Sequence, residues 1–236
     1  WLQMYGADSA LPMPVLRVIA YIGGYWLAFF HYSLYVLLLY ILLRVGLFAV
    51  NAFQPGLVDA SVFLSRYLCV ALFLVLLLVV AGGWNALHPR VRTVEFDTHG
   101  RLAKPQTVVF VTDMHLGSLF GRSYAEELTT TINAQQPDVV LVGGDLVDNR
   151  LLWVRRERSY EPLKDIHSVY GVYAVRGNHD HLDGRIGEEE MLFRSIGFRF
   201  LVNEAVDLPD GLHLVGLEDY RSQPVNPYLA SPAGTN

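Results

Sequence analysis

Charge is missing from two long stretches of this chain, and that absence dictates what its first part can fold into. No Asp, Glu, Lys or Arg occurs between Arg17 and Arg44, so residues 18–43 are an unbroken apolar and aromatic run. As a helix it would reach roughly 39 Å, more than the ~30 Å hydrocarbon core of a bilayer. A second charge-free run lies between Arg66 and Arg90, of which Tyr67–Val80 is almost wholly Leu, Val, Ala and Phe. Continued to Trp84 it would span roughly 27 Å, enough for one crossing.

Tyr21, Tyr25, Trp26, Tyr40, Tyr67 and Trp84 lie near the ends of these runs, where amphipathic rings anchor at the interface. The first run is too long for a cleaved signal peptide, and a second follows it. Gly23-Gly24 leaves the first run open to two readings: one tilted helix, or the tail of one segment followed by a full span. Asn51, Pro55, Gly56 and Asp59 interrupt residues 45–65, which read as a connecting loop with a short amphipathic piece. The expectation is an integral membrane protein with about two transmembrane helices, near 18–43 and 67–84. The N-terminus and the polar part then share a side. Arg17, Arg90, Arg92, Arg101 and Lys104 flank that side, against Arg44 and Arg66 on the other. By a small margin the positive-inside rule places the polar part in the cytoplasm.

The net charge is −5 and there is no basic run, so nucleic acid is not an expected partner. The single Cys69 sits in the second apolar run and cannot form an internal disulfide.

After Pro89, Gly100 and Pro105 the pattern alternates. A strand near 107–112 precedes a helix near 122–135, in which Ala125, Leu128 and Ile132 recur at helical spacing and Ser123 is the expected N-cap. Pro137 stops that helix. Next come a strand at 138–143, a loop at Asn149–Trp153, a helix around 156–168 and a strand at 171–175. Glu188–Ile196 reads as a helix closed by Gly197, followed by short strands near 198–202 and 212–216. Strands alternating with helices of this length imply βαβ units and a largely parallel sheet.

Three motifs follow the apolar, β-branched runs directly: Asp113-Met114-His115, Gly144-Asp145-Leu146-Val147-Asp148 and Gly177-Asn178-His179-Asp180. That puts carboxylates, imidazoles and a carboxamide at the carboxyl ends of neighbouring strands, where open α/β sheets bind ligands. Oxygen ligands mixed with imidazole suit Mn, Fe, Zn or Mg. Asp113-x-His115 on an extended backbone would point both side chains the same way. The two oxygens of Asp145 could bridge cations ~3.5–4 Å apart. Asn178 offers a neutral oxygen, and His179 a proton donor near neutral pH. Taken singly each motif is ordinary turn chemistry. In this order, each after its own strand, they point to a metal-dependent hydrolase.

Over 107–219 the chain resembles the calcineurin-like metallophosphoesterase superfamily, above all its membrane-anchored bacterial branch. Pro137-Asp138, Tyr170–Val175, Asn203-Glu204 and Gly216–Asp219 add to the likeness. The resemblance implies an α/β fold, an αββα sandwich, occupying 91–236 as the N-terminal part of a catalytic domain behind a membrane region at 1–90. It implies two divalent metal ions, with Asp113 and His115 on the first and Asp145 bridging both. Asn178 would bind the second metal and touch the substrate phosphate. His179 would protonate the leaving oxygen or stabilise the transition state, and Asp148 would orient it. A metal-bridging hydroxide would attack phosphorus in line. His181 is a further candidate for the phosphate pocket, whereas His213 reads as structural.

The family also uses a histidine after a later strand and a Gly-His-x-His pair, which do not occur between Asp180 and Asn236. The expectation is an incomplete sandwich whose missing motifs lie beyond Asn236, and little activity from this polypeptide alone. Asn149-Arg150 after Asp148, and Asp180 in place of Glu, argue against the serine/threonine phosphatase branch. Arg155, Arg156 and Arg158 read as a solvated helix face. The resemblance suggests a bacterial inner-membrane phosphodiesterase or pyrophosphatase, with a lipid-linked phosphoester as a candidate substrate. The alternative is a non-catalytic membrane scaffold that retains the fold.

Overall fold

The computed structural model describes residues 12–56 and 59–219. The chain divides into two compact units, Trp1–His88 and Pro89–Asn236.

The first unit is a pair of helices, α1 (Met13–Phe53) and α2 (Ala60–Leu87). Both are long and apolar enough to cross a membrane, and so are candidate membrane spans. α1 runs unbroken through Gly23-Gly24, so the first apolar run is one helix. The helices also extend into 45–65, correcting the loop expected there. Only residues 54–59 lie between them. The N-terminus of α2 is capped by Asp59, whose carboxylate accepts from the N–H of Ser61 and Val62 at 3.1 and 3.3 Å. The pairing is antiparallel: the Tyr67 hydroxyl donates to the Val36 carbonyl at 3.3 Å, while Tyr25 packs on Gly83. A Cβ at Gly83 would overlap the Tyr25 ring, so only glycine lets the backbones approach this closely.

The second unit is α/β. Four parallel strands, β1 (Val108–Val111), β2 (Val139–Val142), β3 (Val172–Ala174) and β4 (Phe198–Phe200), lie side by side in chain order. A two-stranded antiparallel sheet, β5 (Glu204–Asp207) and β6 (His213–Gly216), follows. Strand side chains alternate between faces, and the two cores follow that alternation. Val140, Val142, Val172, Ala174, Phe198 and Phe200 pack with the helices α3 (Arg122–Asn133), α4 (Leu151–Glu157) and α5 (Ile186–Arg194). Val139, Leu141 and Tyr173 pack on the other face with Val206, Leu212 and Leu214 of the hairpin and its turn. A helix layer, a parallel sheet and a small second sheet make three of the four layers of an αββα sandwich.

Three local expectations need correction. Gly121 rather than Ser123 is the N-cap of α3. α4 occupies 151–157, in place of a loop at 149–153 and a helix at 156–168. Its first N–H groups find a partner from far along the chain, since Leu151 N–H donates to Asp183 Oδ2 at 3.2 Å. Its last turn ends at Arg158, which is left-handed with φ 53°, and a 3₁₀ turn (Glu161–Asp165) follows. β5 had no strand signal: Glu204-Ala205-Val206-Asp207 pairs because β6 lies beside it. Across that hairpin the His213 imidazole meets Asp207 Oδ1 at 2.6 Å, which fits a structural histidine.

A Gly83→Leu substitution should loosen the α1–α2 pair by about 1–3 kcal/mol, the usual cost of overpacking. Thermal unfolding of the full-length protein in detergent should show the loss, and Tyr25→Ala in the same chain should recover much of it.

Candidate metal centre

Strand register sets the stage. Val111 pairs with Val142 and Val142 with Ala174, so β1, β2 and β3 end level with one another. The three motif loops therefore leave the sheet together. Gly143 N–H to Val111 O (2.8 Å) and Val175 N–H to Val142 O (3.0 Å) carry the ladder one step past the strands. The loops after β1 and β2 then run on side by side, through Asp113 N–H to Gly144 O at 3.2 Å and His115 N–H to Asp145 O at 2.9 Å.

Asp113, His115 and Asp145 are all left-handed, with φ of 55°, 46° and 52°. Such backbone is uncommon outside glycine and costs of order 1–3 kcal/mol per residue. The extended geometry expected for Asp113-x-His115 is thus replaced by two αL turns pinned to the neighbouring loop. The side chains still converge: His115 Nε2 lies 3.6 Å from Asp113 Oδ1. Gly144 (φ 91°) and Gly177 sit where the second and third loops touch. A Cβ on either would strike the other loop, the Asp145 carboxylate in the case of Gly177.

His115, Asp145 and His179 offer ligand atoms that all lie within 4.8 Å of one another. Their rings confirm the crowding, the two imidazoles standing 4.6 Å apart, edge to face. His179 N–H donates to Asp145 Oδ1 at 2.8 Å, and its Nδ1 bonds the Asp148 carbonyl at 2.8 Å. A carbonyl only accepts, so Nδ1 carries the hydrogen and Nε2 is left for the site. The Asp148 carboxylate stands 3.7 Å from His179 Nδ1 and 3.8 Å from His115 Nδ1, flanking both rings. Asp113, Asp145 and Asn178 line one cavity of about 440 Å³ beside these residues. His181 is not among its lining residues but stands 3.5 Å from Oε1 of Glu218, which is.

A divalent ion fits this donor set. His115 Nδ1 is buried without a hydrogen-bond partner among the described residues. Imidazole and carboxylate donors held this close satisfy borderline and hard cations. The Gly-His-x-His pair expected beyond Asn236 lies outside the described residues. Of the basic residues after the second motif, Arg155 pairs with Glu188 at 3.1 Å and Arg158 with Glu161.

The group that sequence reasoning undervalued is Asp180. It is 2% exposed, and its carboxylate accepts four backbone N–H groups: Asp145 (3.0 Å), Leu146 (2.8 Å), Val147 (3.4 Å) and Gly177 (2.8 Å). It binds the second loop to the third. The signal was there, as the last residue of Gly177-Asn178-His179-Asp180, but served only to separate branches. Behind it lies Glu189, 4% exposed. Burial first, then the charge of Asp180 and a hydrogen bond to it, pushes the Glu189 carboxyl up to about 10.

Asp180→Asn leaves two of the four N–H groups facing an NH₂, whichever way the amide turns. Stability should fall by about 2–5 kcal/mol, and Mn²⁺ affinity should fall with it, readable by calorimetry. Glu189 sets a pH slope. The unfolded chain ionises this carboxyl from about pH 4.5, while the fold keeps it protonated to about 10, so stability drains as pH rises through that window. Glu189→Gln is neutral at every pH. Its melting temperature relative to wild type, measured in EDTA, should therefore rise steadily between pH 5 and pH 9. Parallel curves would refute the assignment.

A family model described as calcineurin-like phosphoesterase matches residues 106–228. An uncharacterized metallophosphoesterase of Campylobacter jejuni is 32% identical over 143 residues, 60% of this chain and 37% of that protein. One from Helicobacter pylori is 33% identical over 121 residues, 51% of this chain and 31% of that protein. A transmembrane protein with metallophosphoesterase domain from Bos taurus is 29% identical over 177 residues, 70% of this chain and 39% of its own. The chain thus spans between about a third and two fifths of the length of these relatives. No solved structure matches it significantly. The family match begins just ahead of β1, covers more than half of the chain and contains all three strand-end loops, and on that ground this chain belongs to the calcineurin-like phosphoesterase family.

Proposed function

We propose that this chain is a membrane-anchored phosphoester hydrolase working with two divalent ions. The observation that carries the reading is the convergence of His115, Asp145 and His179, with ligand atoms within 4.8 Å, beside a cavity lined by Asp113 and Asn178. In this reading Asp113 and His115 hold one ion, Asn178 the other, and Asp145 serves both. Mn, Fe, Zn or Mg suits the donor set. Bound there, such ions polarise phosphoryl oxygens and lower the pKa of water.

The chain's own residues do the rest. The Asn178 carboxamide contacts a phosphate oxygen. His179, with Nδ1 committed to the Asp148 carbonyl, offers Nε2 to the leaving oxygen and protonates it when the ring is charged. The Asp148 carboxylate stands against both imidazoles and helps to hold the His179 ring in place. His181 steadies the pocket through Glu218.

Residues 1–90 form the membrane region in this reading, and 91–236 belong to the catalytic domain. The two apolar helices support attachment to a bilayer, and the arginine balance supports a cytoplasmic active site at a bacterial inner membrane. Anchoring favours lipid-linked phosphodiesters or pyrophosphates, because substrate and enzyme then share two dimensions.

The test is Mn²⁺-dependent hydrolysis of bis(p-nitrophenyl) phosphate by the full-length protein in detergent. Activity should vanish in EDTA, return with Mn²⁺, and drop roughly 10²–10⁴-fold in Asp145→Asn and His179→Ala. Folded, Mn²⁺-binding protein without turnover would favour the scaffold alternative.

A further inference from the structure

Arg176, the residue ahead of the third motif, has no part in the reading above. It lines the same cavity as Asp113, Asp145 and Asn178, and 22% of its side chain stays open. Among the described residues lining that cavity it is the one cation. The other charged groups there are the carboxylates of Asp113, Asp145, Glu218 and Asp219. Of the charged groups on this wall, Arg176 is the one that attracts a phosphoester.

The guanidinium is held still. Nε donates to Glu190 Oε2 at 3.1 Å, Nη2 donates to the same oxygen, and Nη1 donates to Glu218 Oε2 at 2.8 Å. Both carboxylates are anchored in turn. Glu190 takes Arg194 Nε at 2.7 Å on its other oxygen. Glu218, whose side chain is 2% exposed, uses its second oxygen to accept Asp219 N–H at 3.1 Å, with His181 3.5 Å away. Its own N–H donates to Asn203 Oδ1 at 3.1 Å. These bonds engage three of the five guanidinium N–H groups, leaving one on each terminal nitrogen. A cation whose rotamer entropy is already lost, with donors to spare and a face on the cavity, is preorganised to receive an anion.

We propose that Arg176 binds the non-bridging oxygens of the substrate's phosphate, with Glu190 and Glu218 as the positioning residues that aim it. The identity of the anion rests on the hydrolase reading. The planar fork matches two phosphate oxygens in a way that the point charge of lysine does not.

Inorganic phosphate is the probe, titrated calorimetrically into the Mn²⁺-loaded full-length protein, alongside kinetics on bis(p-nitrophenyl) phosphate. Arg176→Gln should weaken phosphate binding and raise KM about 10–100-fold, with Mn²⁺ stoichiometry kept and a smaller change in kcat. Arg176→Lys should recover little of the loss, and Glu218→Gln should shift KM the same way by less. If Arg176→Gln does not fold, Arg176→Lys carries the test. Unchanged phosphate affinity with a lowered melting temperature would make Arg176 a structural strut and overturn the proposal. Wild-type protein that binds no phosphate overturns it too. Wild-type protein that binds phosphate without turnover sinks only the hydrolase reading, and the affinities of the variants still decide on Arg176.

Discussion

Four backbone N–H groups from two loops converge on the carboxylate of Asp180, and the geometry of the whole centre hangs on that convergence. A carboxylate withdrawn from water is tolerable only where donors meet its charge. Here the donors are the backbone of Asp145, Leu146, Val147 and Gly177, so the loops cannot part without stranding the charge. Metal-binding geometry is thereby tied to folding itself. Glu189 completes the arrangement from behind. A second buried negative charge beside Asp180 would repel the first, and the fold avoids it by keeping a proton on Glu189.

That clamp also accounts for the strained backbone around it. Asp113, His115 and Asp145 hold left-handed conformations that none of them would choose alone. Each is over-determined: Asp113 and His115 by N–H bonds to Gly144 and Asp145, Asp145 by its own N–H on Asp180. The gain is direction. An extended continuation of β1 would carry the Asp113 and His115 side chains onward along the strand. With the left-handed turns, the His115 side chain lies close enough to Asp145 and His179 to share an ion, and Asp113 stands beside His115. Glycine at 144 and 177 is the other half of the same bargain, since a side chain at either would wedge apart the loops that Asp180 draws together.

The residues that the sequence marked as chemical are those whose positions depend on short range. Strand, then motif, then helix is a local pattern, and Asp113, His115, Asp145 and His179 could be placed together because three strand ends were legible in the β-branched runs. What escaped was non-local. α4 begins where it does because Asp183 caps it from more than thirty residues away, β5 exists because β6 lies beside it, and Asp180 looked like an ordinary turn residue. The two long apolar helices show the same division. Their existence was plain from the missing charge. Their true ends were not, because Asn51 and Ser61 sit comfortably inside helices whose length, not their hydrophobicity, carries them past the apolar run. His181, suggested by its place beside the third motif, stands 3.5 Å from Glu218, a residue of the cavity wall that no local pattern marked.

Charge around the cavity limits what the site can receive. Asp113, Asp145, Glu218 and Asp219 face it, with Asp148 nearby between the two histidines. Arg176 is engaged by two carboxylates, one of them shared with Arg194, so it offsets little of that charge at a distance. Such a field opposes an anionic substrate unless cations offset it, so the hydrolase reading requires metal in place before a phosphoester binds. Arg176 then acts at contact range, through directed hydrogen bonds, where a neutralised guanidinium still recognises oxygen geometry. On the proposal made for it, Arg176 contributes to phosphate affinity through these contacts, beside whatever charge a bound metal supplies.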